Sequence, residues 1–165
     1  MTANNVTRLL DSKKVPYKMF ELSAEKRGAL ETARLLGVDP ELVYKTIVVV
    51  REKGKPILAV IPGPNRVDLK LLAAALGEKK LSLPTEREAE KVTGLQAGGI
   101  SPLALLNKGF QVVIDVAAQN RPEIHVSGGQ RGLNIRLPVK VLIELTRARF
   151  ALISNLDDES ILSNS

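Results

Sequence analysis

Apolar and polar residues recur along the chain with a helical period in some segments and a strand period in others. Segments with helical spacing or a helical start signal are residues 5–14, 23–36, 40–45, 69–76, 85–92 and 138–146. Local start and stop residues support several of them. Asp39 stands before a proline, Asp68 and Gly77 bracket the fourth segment, and Thr85 with Glu88 forms a capping box. Ser23 is the predicted cap of the second helix, and Gly37 follows its end.

Runs of β-branched or alternating apolar residues predict the strands. They are residues 17–22, 46–51, 57–61, 81–83, 111–116, 123–127 and 133–137, with 150–153 a short final strand or a helix end. The turn at 52–55 predicts a hairpin between the second and third of these strands. Antiparallel returns dominate and helices are inserted between them. The pattern therefore predicts an α+β fold with a mixed, mostly antiparallel, barrel-like sheet and flanking helices.

Length and composition predict one domain over residues 1–155 and a polar, acidic C-terminal tail over 156–165, frayed from Asn155 onward. No apolar run reaches the roughly 20 residues of a membrane span, and the first residues lack a signal-peptide pattern. We therefore expect a cytoplasmic protein. The chain has no cysteine and one histidine, which excludes disulfides and a cysteine nucleophile and argues against a metal site.

The charge is unevenly spread. The whole chain has a net charge of +6, but residues 156–165 hold three acidic residues and no basic one, so residues 1–155 carry +9. A basic body of this kind favours a polyanionic partner, for which nucleic acid is the usual choice. The alternative is a basic protein without such a partner.

A loop rich in glycine lies between the fifth helix and the proline-initiated turn at Pro102. Residues 92–102 contain three glycines and no charge, although a solvated loop would normally carry polar side chains. Such a loop suggests a backbone that a ligand approaches closely, with successive N–H groups, among them those of Gly98 and Gly99, available to an oxyanion or phosphate. The alternative is an ordinary connection before a helix.

Two further features could carry chemistry. Lys45 stands where a short helix meets a buried strand, so its ammonium could hold a phosphate or a carbonyl oxygen. It could equally be a solvated lysine at a strand edge. A second glycine-rich loop, residues 127–132, offers a hydroxyl, N–H donors and a guanidinium, but could be a loose hairpin turn. Asp115, His125 and Ser127 do not have the order or spacing of a recognisable catalytic triad.

Taken together, these motifs resemble the YbaK/EbsC family, the free-standing relatives of the editing domain of bacterial prolyl-tRNA synthetases. The resemblance rests on the segments Val43-Tyr44-Lys45-Thr46, Gly98-Gly99-Ile100-Ser101-Pro102 and Val126-Ser127-Gly128-Gly129-Gln130-Arg131-Gly132-Leu133. It implies an aminoacyl-tRNA deacylase that acts in trans-editing, typically removing cysteine from tRNA(Pro). It also implies aminoacyl-tRNA as a partner, with prolyl-tRNA synthetase as a further one, and no metal or cofactor.

The resemblance also implies roles for individual residues. Lys45 is the essential lysine and the backbone of Gly98 and Gly99 contacts the reacting ester, so these three are the expected catalytic residues. The expected substrate-binding residues are Tyr17, Phe20, Ile100, Ser101, Pro102, Ser127, Gly128, Gly129 and Arg131. In the cysteine-specific members the substrate thiol attacks its own ester; otherwise water does. Two alternatives stay open: an inactive tRNA- or synthetase-binding module of the same fold, and a hydrolase of small acyl-nucleotides.

Overall fold

A computed structural model describes residues 4–157 and contains five short α-helices within that range. The helices are α1 (Asn5–Ser12), α2 (Ala29–Leu36), α3 (Leu69–Leu76), α4 (Glu86–Thr93) and α5 (Val139–Thr146). Side-chain caps fix where several begin: Asp68 accepts from the Leu71 amide, and Thr85 and Glu88 bond reciprocally at the start of α4. Three 3₁₀ turns lie between other elements. Each helix falls short of the length and apolar character that crossing a bilayer requires.

The main sheet has five strands in the spatial order β5-β2-β3-β6-β9. These strands are β2 (Tyr44–Arg51), β3 (Ile57–Pro62), β5 (Leu81–Ser82), β6 (Gln111–Asp115) and β9 (Arg149–Ala151). β2 pairs antiparallel with β3 and β5, whereas β6 is parallel to both β3 and β9. The central strands are buried on both faces because separate apolar clusters cover the two sides of β2 and β3.

Two smaller sheets complete the fold. β1 (Lys18–Glu21), β8 (Leu133–Pro138) and β7 (Glu123–Ser127) form an antiparallel sheet in that order, and β4 (Asn65–Val67) pairs with β10 (Ser154–Leu156). A bridge between Val43 and His125 joins the three-stranded sheet to the start of β2. The predicted α+β fold with a mixed, mostly antiparallel sheet is confirmed. The term barrel-like holds only loosely, since the strands of residues 4–157 do not close into a barrel.

Several local predictions need correction. The predicted helix over residues 40–45 is only a 3₁₀ turn, Pro40–Leu42, and residues 44 and 45 already belong to β2. The second helix begins at Ala29 and not at Ser23, because the segment of residues 22–28 lies against the glycine-rich loops, where the Leu22 amide donates to Gly132 O (2.7 Å). The β4–β10 pair was not expected at all. Fraying from Asn155 is wrong for the first two residues, since Asn155 and Leu156 are part of β10. The tail beyond Asp157 lies outside the described residues.

Candidate functional site

A cavity of about 440 Å³ lies between the start of β2 and the two glycine-rich loops. Its walls come from five segments that are distant in sequence. The lining includes Leu22, Arg27, Gly28, Ala29, Thr32, residues 43–48, Leu83, Pro84, Glu86, Ala89, Ala97, Gly98, Ile100, Ser127, Gly132, Leu133 and Asn134. Most of these side chains are apolar or small. Arg27 and Lys45 bring two positive charges, and the carboxylate of Glu86 is paired with Lys26 outside the lining. A pocket of this size and character suits a small organic group with an anionic part.

Lys45 is the second residue of β2 and is half-buried at the cavity. Burial lowers the pKa of its ammonium group, because the charged form loses solvation, and the carboxylate of Asp157 acts in the opposite direction. The predicted lysine therefore does line the cavity. Its position is early within the strand, since the preceding 3₁₀ turn ends at Leu42.

The first glycine-rich loop follows α4, which ends at Gly94. Gly98 lines the cavity and has a φ of 88°, which favours glycine. Gly99 lies behind it. Its N–H already donates to Gln96 O (2.8 Å), and a Cβ there would stand 2.8 Å from the backbone carbon of Gln130. Within this loop the backbone at Gly98 is therefore accessible to a ligand in the cavity, whereas Gly99 packs against the second loop.

The rest of this loop is fixed by hydrogen bonds. The Ala97 amide donates to Glu90 Oε2 (2.7 Å), and Ser101 Oγ accepts from the Leu103 amide (3.1 Å) to begin the 3₁₀ turn at Pro102. Ser101 and Pro102 are buried and are not part of the cavity lining, whereas Ile100 reaches its wall. A loop held in this way can present a backbone group without reorganisation, which is what stabilisation of an oxyanion requires.

The second loop meets the first through Arg131, whose Nε donates to Ala97 O (2.7 Å). Ser127 lines the cavity, and its Oγ accepts from the Gly129 amide (3.2 Å). Gly128 and Gly129 lie on the far side: a Cβ on the first would stand 2.6 Å from Leu133 Cγ, and one on the second 3.1 Å from Ala104 Cβ. Of this predicted set, Ser127 lines the cavity, whereas Gly128, Gly129 and Arg131 are not part of its lining.

The two predicted aromatic residues lie away from the cavity lining. Tyr17 donates its hydroxyl to Asp11 Oδ1 (2.7 Å) near the end of α1. Phe20 packs on β1 against His125, with ring centroids 5.5 Å apart, and under the guanidinium of Arg136. Neither ring is among the residues that the structure brings to the cavity wall.

His125 is the chain's single histidine and belongs to the core. It is 2 % exposed, its Nδ1 bonds to Asn134 Oδ1 (2.7 Å), and burial lowers the pKa of its ring. Asp115 is engaged elsewhere, accepting from Ser154 Oγ (2.6 Å). The structure therefore does not assemble Asp115, His125 and Ser127 into a triad. Among residues 4–157 there is also no group of three or more His, Asp or Glu placed to hold a metal ion.

Several residues of the cavity lining were not predicted from the sequence, and Arg27 is the cationic one among them. Its side chain is 7 % exposed, and its Nη2 donates to Ser23 Oγ (2.7 Å) and lies 3.6 Å from Glu25 Oε2. A guanidinium has five N–H donors, so these contacts leave capacity for an anion in the cavity. Next to it, Lys26 forms an ion pair with Glu86 of α4. No pattern marks Arg27 in the sequence, because its position depends on the segment of residues 22–28 being irregular.

Comparison with known proteins adds to this geometry. The sequence profile of the aminoacyl-tRNA editing domain matches residues 24–145, which is most of the chain. The chain belongs to the aminoacyl-tRNA editing domain family. It is 38 % identical over 149 residues to EbsC of Enterococcus faecalis, a protein provisionally named Cys-tRNA(Pro)/Cys-tRNA(Cys) deacylase, and the match covers 89 % of this chain and 90 % of that one. The predicted resemblance is therefore confirmed.

The chain is also similar to a segment of a larger protein and to proteins of solved structure. The proline–tRNA ligase of Thermodesulfovibrio yellowstonii is 30 % identical over 79 residues, which are 48 % of this chain and 14 % of the ligase. A solved structure described as a provisional trans-editing enzyme for prolyl-tRNA synthetase has a TM-score of 0.78 at 27 % identity, covering 94 % of this chain and 99 % of that one. The hypothetical protein APE2540 has a TM-score of 0.84 at 25 % identity, covering 92 % and 100 %.

Proposed function

We propose that this protein is an aminoacyl-tRNA deacylase that removes a mischarged amino acid in trans, with cysteine on tRNA(Pro) as its main substrate. The observation that carries the proposal is the placement of Lys45 and the Gly98 backbone on one cavity in a member of the editing family. The identity to EbsC over most of both chains supports the choice of cysteine.

In the proposed mechanism the cavity works by positioning and by electrostatics. The ester carbonyl lies against the Gly98 backbone, whose N–H stabilises the oxyanion of the tetrahedral intermediate. One such donor contributes about 3–4 kcal/mol in other enzymes. Lys45 and Arg27 hold the phosphate of the terminal nucleotide, and Ser127 with Ile100 bounds the amino-acid side chain. The Gly99 amide, which already donates to Gln96 O, keeps the loop in shape.

The chain itself has no cysteine, and its histidine is packed in the core. We therefore propose that the substrate supplies the nucleophile. The cysteinyl sulfur attacks its own ester carbon, the bond from that carbon to the ribose oxygen breaks, and the thiol proton ends on the ribose oxygen. The products are a cyclic thiolactone and a free tRNA 3′ end, so the reaction consumes no water in this step.

The test is ester loss from tRNAs charged separately with Cys, Ala, Ser and Pro. We expect rapid loss of Cys-tRNA(Pro), slow loss of Ser-tRNA, and a trapped thiolactone-derived product. Equal rates for the Cys and Ser esters would replace thiol attack by water attack. No acceleration with any charged tRNA, together with retained tRNA binding, would show an inactive binding module instead.

A further inference from the structure

One edge of β2 is open where the cavity lies. On its other side β2 pairs with β3 from Tyr44 to Val49, but on the cavity side it bridges β7 at Val43 and pairs with β5 only at Val50 and Arg51. Within residues 4–157 no strand pairs with residues 46–49 on that side. Residues 44–48 all line the cavity, although successive side chains of a strand point to opposite faces. The cavity therefore meets β2 along its backbone edge.

The hydrogen-bond register shows which backbone groups face the cavity. The Gly63 amide donates to Val43 O (2.8 Å) in continuation of the β2–β3 register, so odd-numbered residues of β2 turn their N–H and C=O groups to β3. Thr46 and Val48 consequently turn theirs to the cavity. Continuing the β2–β5 register would place Pro84 opposite Val48, and a proline has no N–H with which to extend the ladder.

An open strand edge offers a particular recognition pattern. The C=O of one outward-facing residue and the N–H of the residue two positions on are neighbours along the edge, so a ligand that places a donor next to an acceptor can bond to both. Within an aminoacylated 3′ end, the ester carbonyl only accepts and the ammonium only donates. The adenine base presents its N6 amino group beside the N1 acceptor. Leu83 and Pro84, which follow β5, add apolar wall to the same cavity.

We propose that the Thr46–Val48 edge binds the adenine of the substrate's 3′-terminal nucleotide, with N6 donating to Thr46 O and N1 accepting from the Val48 N–H. The inference rests on the proposed function, because it takes an aminoacyl-tRNA as the substrate. It places the base beside Lys45, which adjoins this edge and holds the phosphate of the same nucleotide. In this site the backbone groups of Thr46 and Val48 recognise the base, and no side chain is required to read it.

The first test changes the base and leaves the protein intact. Cys-tRNA(Pro) ending in adenosine, in purine riboside, which lacks N6, or in 1-deazaadenosine, which lacks N1, is compared in kcat/KM. Loss of one base contact should lower kcat/KM about tenfold or more. Cys-tRNA(Pro) ending in 7-deazaadenosine, which keeps N1 and N6, is the matched control and should react like the natural substrate. Equal rates for adenosine and purine riboside, or an equal loss with 7-deazaadenosine, would overturn the assignment.

The second test does not depend on turnover. In a titration of the 15N-labelled full chain with AMP, we expect the Val48 amide resonance to shift, and to shift far less with 1-deaza-AMP. The Leu71 amide, bonded to Asp68 in α3, is the internal reference. A Val48 resonance that does not respond to AMP refutes the adenine site. A protein that binds AMP at Val48 but deacylates no tRNA retains this site and refutes the proposed function, whereas active protein indifferent to the base refutes only this inference.

Discussion

At the scale of single residues, Lys45 has a buried charge that costs folding stability, and we propose that this charge binds the substrate. Burial disfavours its charged form, so we expect that keeping a cation in the cavity lowers the folding stability of the wild-type chain. Lys45→Met keeps most of the side-chain volume and removes the charge. We predict that it lowers kcat/KM about 10- to 100-fold, the loss expected for one charge-assisted contact to a phosphate. Deacylation of Cys-tRNA(Pro) measures this, and wild-type kinetics would remove Lys45 from the site.

The same variant should change the pH dependence of folding. The pKa of Lys45 in the folded chain is below its ordinary value of 10.5, so the unfolded chain binds more protons between these two values. Wild-type stability should therefore rise relative to Lys45→Met as the pH increases towards 10.5. At neutral pH the variant should be the more stable protein. Urea unfolding at several pH values from 7 to 10 measures the difference in unfolding free energy between the two proteins. A difference that stays constant over this range would contradict the prediction.

Gly99 is a residue at which space rather than conformation excludes a side chain. A Cβ there would lie 2.8 Å from the Gln130 carbonyl carbon and 2.9 Å from the Arg131 nitrogen, both backbone atoms that cannot turn aside. We predict that Gly99→Ala destabilises the fold by about 1–3 kcal/mol, as overpacking does elsewhere. Gly28→Ala is the control, because its Cβ would meet nothing within 4 Å. Equal unfolding free energies for the two variants would contradict the prediction.

At the scale of elements, the segment of residues 22–28 forms one wall of the cavity through Arg27. If its guanidinium holds a substrate phosphate, Arg27→Ala should raise KM for charged tRNA and should reduce the slope of log affinity against log salt by about 1. Arg34→Ala removes an arginine that is 70 % exposed on α2 and serves as the matched control. A salt slope that stays at the wild-type value would assign Arg27 a packing role instead.

Asp115 links the end of β6 to β10 through hydrogen bonds. It is 3 % exposed and accepts from Ser154 Oγ (2.6 Å), the Ala117 amide (2.9 Å) and the Ile153 amide (3.3 Å). Asp115→Ala leaves the buried donors of Ile153 and Ser154 without this acceptor, so we predict a loss of about 2–3 kcal/mol in unfolding free energy. Asp39→Ala removes an exposed carboxylate that caps a 3₁₀ turn and should cost about 1 kcal/mol.

Sequence patterns predicted those elements whose boundaries are fixed locally. α3 begins after Asp68 and ends before Gly77, as predicted, because the cap and the left-handed terminus lie within the segment itself. The start of α2 was missed because Ser23 does not cap the helix: its Oγ accepts from the Arg27 guanidinium. The neighbouring Leu22 amide donates to Gly132 O, which is distant in sequence. The parallel pairing of β6 likewise depends on strands far apart in sequence.

The residues of the candidate site also fall into two groups: those that local sequence patterns indicate and those whose positions depend on tertiary packing. Predicted element boundaries and the family resemblance pointed to Lys45, and the glycine-rich motifs pointed to Gly98 and Ser127; all three line the cavity. They could not separate Gly98 from Gly99, since the difference lies in which N–H is already bonded to Gln96. Nor could they indicate Arg27, whose burial follows from the packing of an irregular segment. The open edge of β2 depends on where two other strands stop pairing, which no local pattern encodes.

At the scale of the whole molecule, two C-terminal deletions separate the effect of removing acidic residues from the effect of removing β10. Deletion of residues 158–165 removes Asp158, Glu159 and no basic residue, raising the net charge from +6 to +8. We predict unchanged folding stability and a kcat/KM for charged tRNA that is equal to or slightly above the wild-type value at low salt. Deletion of residues 154–165 also removes β10, with its pairing to β4 and the bond from Asn155 to Asp68 (2.6 Å).

The longer deletion should therefore unfold at a lower urea concentration, since Asp115 and Asp68 both lose a partner. Comparing the two truncations separates charge from structure, because both remove Asp158 and Glu159 and only one removes a strand. A large loss of turnover in the shorter truncation would mean that residues 158–165 contribute to the active protein. Equal stability of the two would show that the β4–β10 pair is dispensable and that the boundary of the domain lies before Ser154.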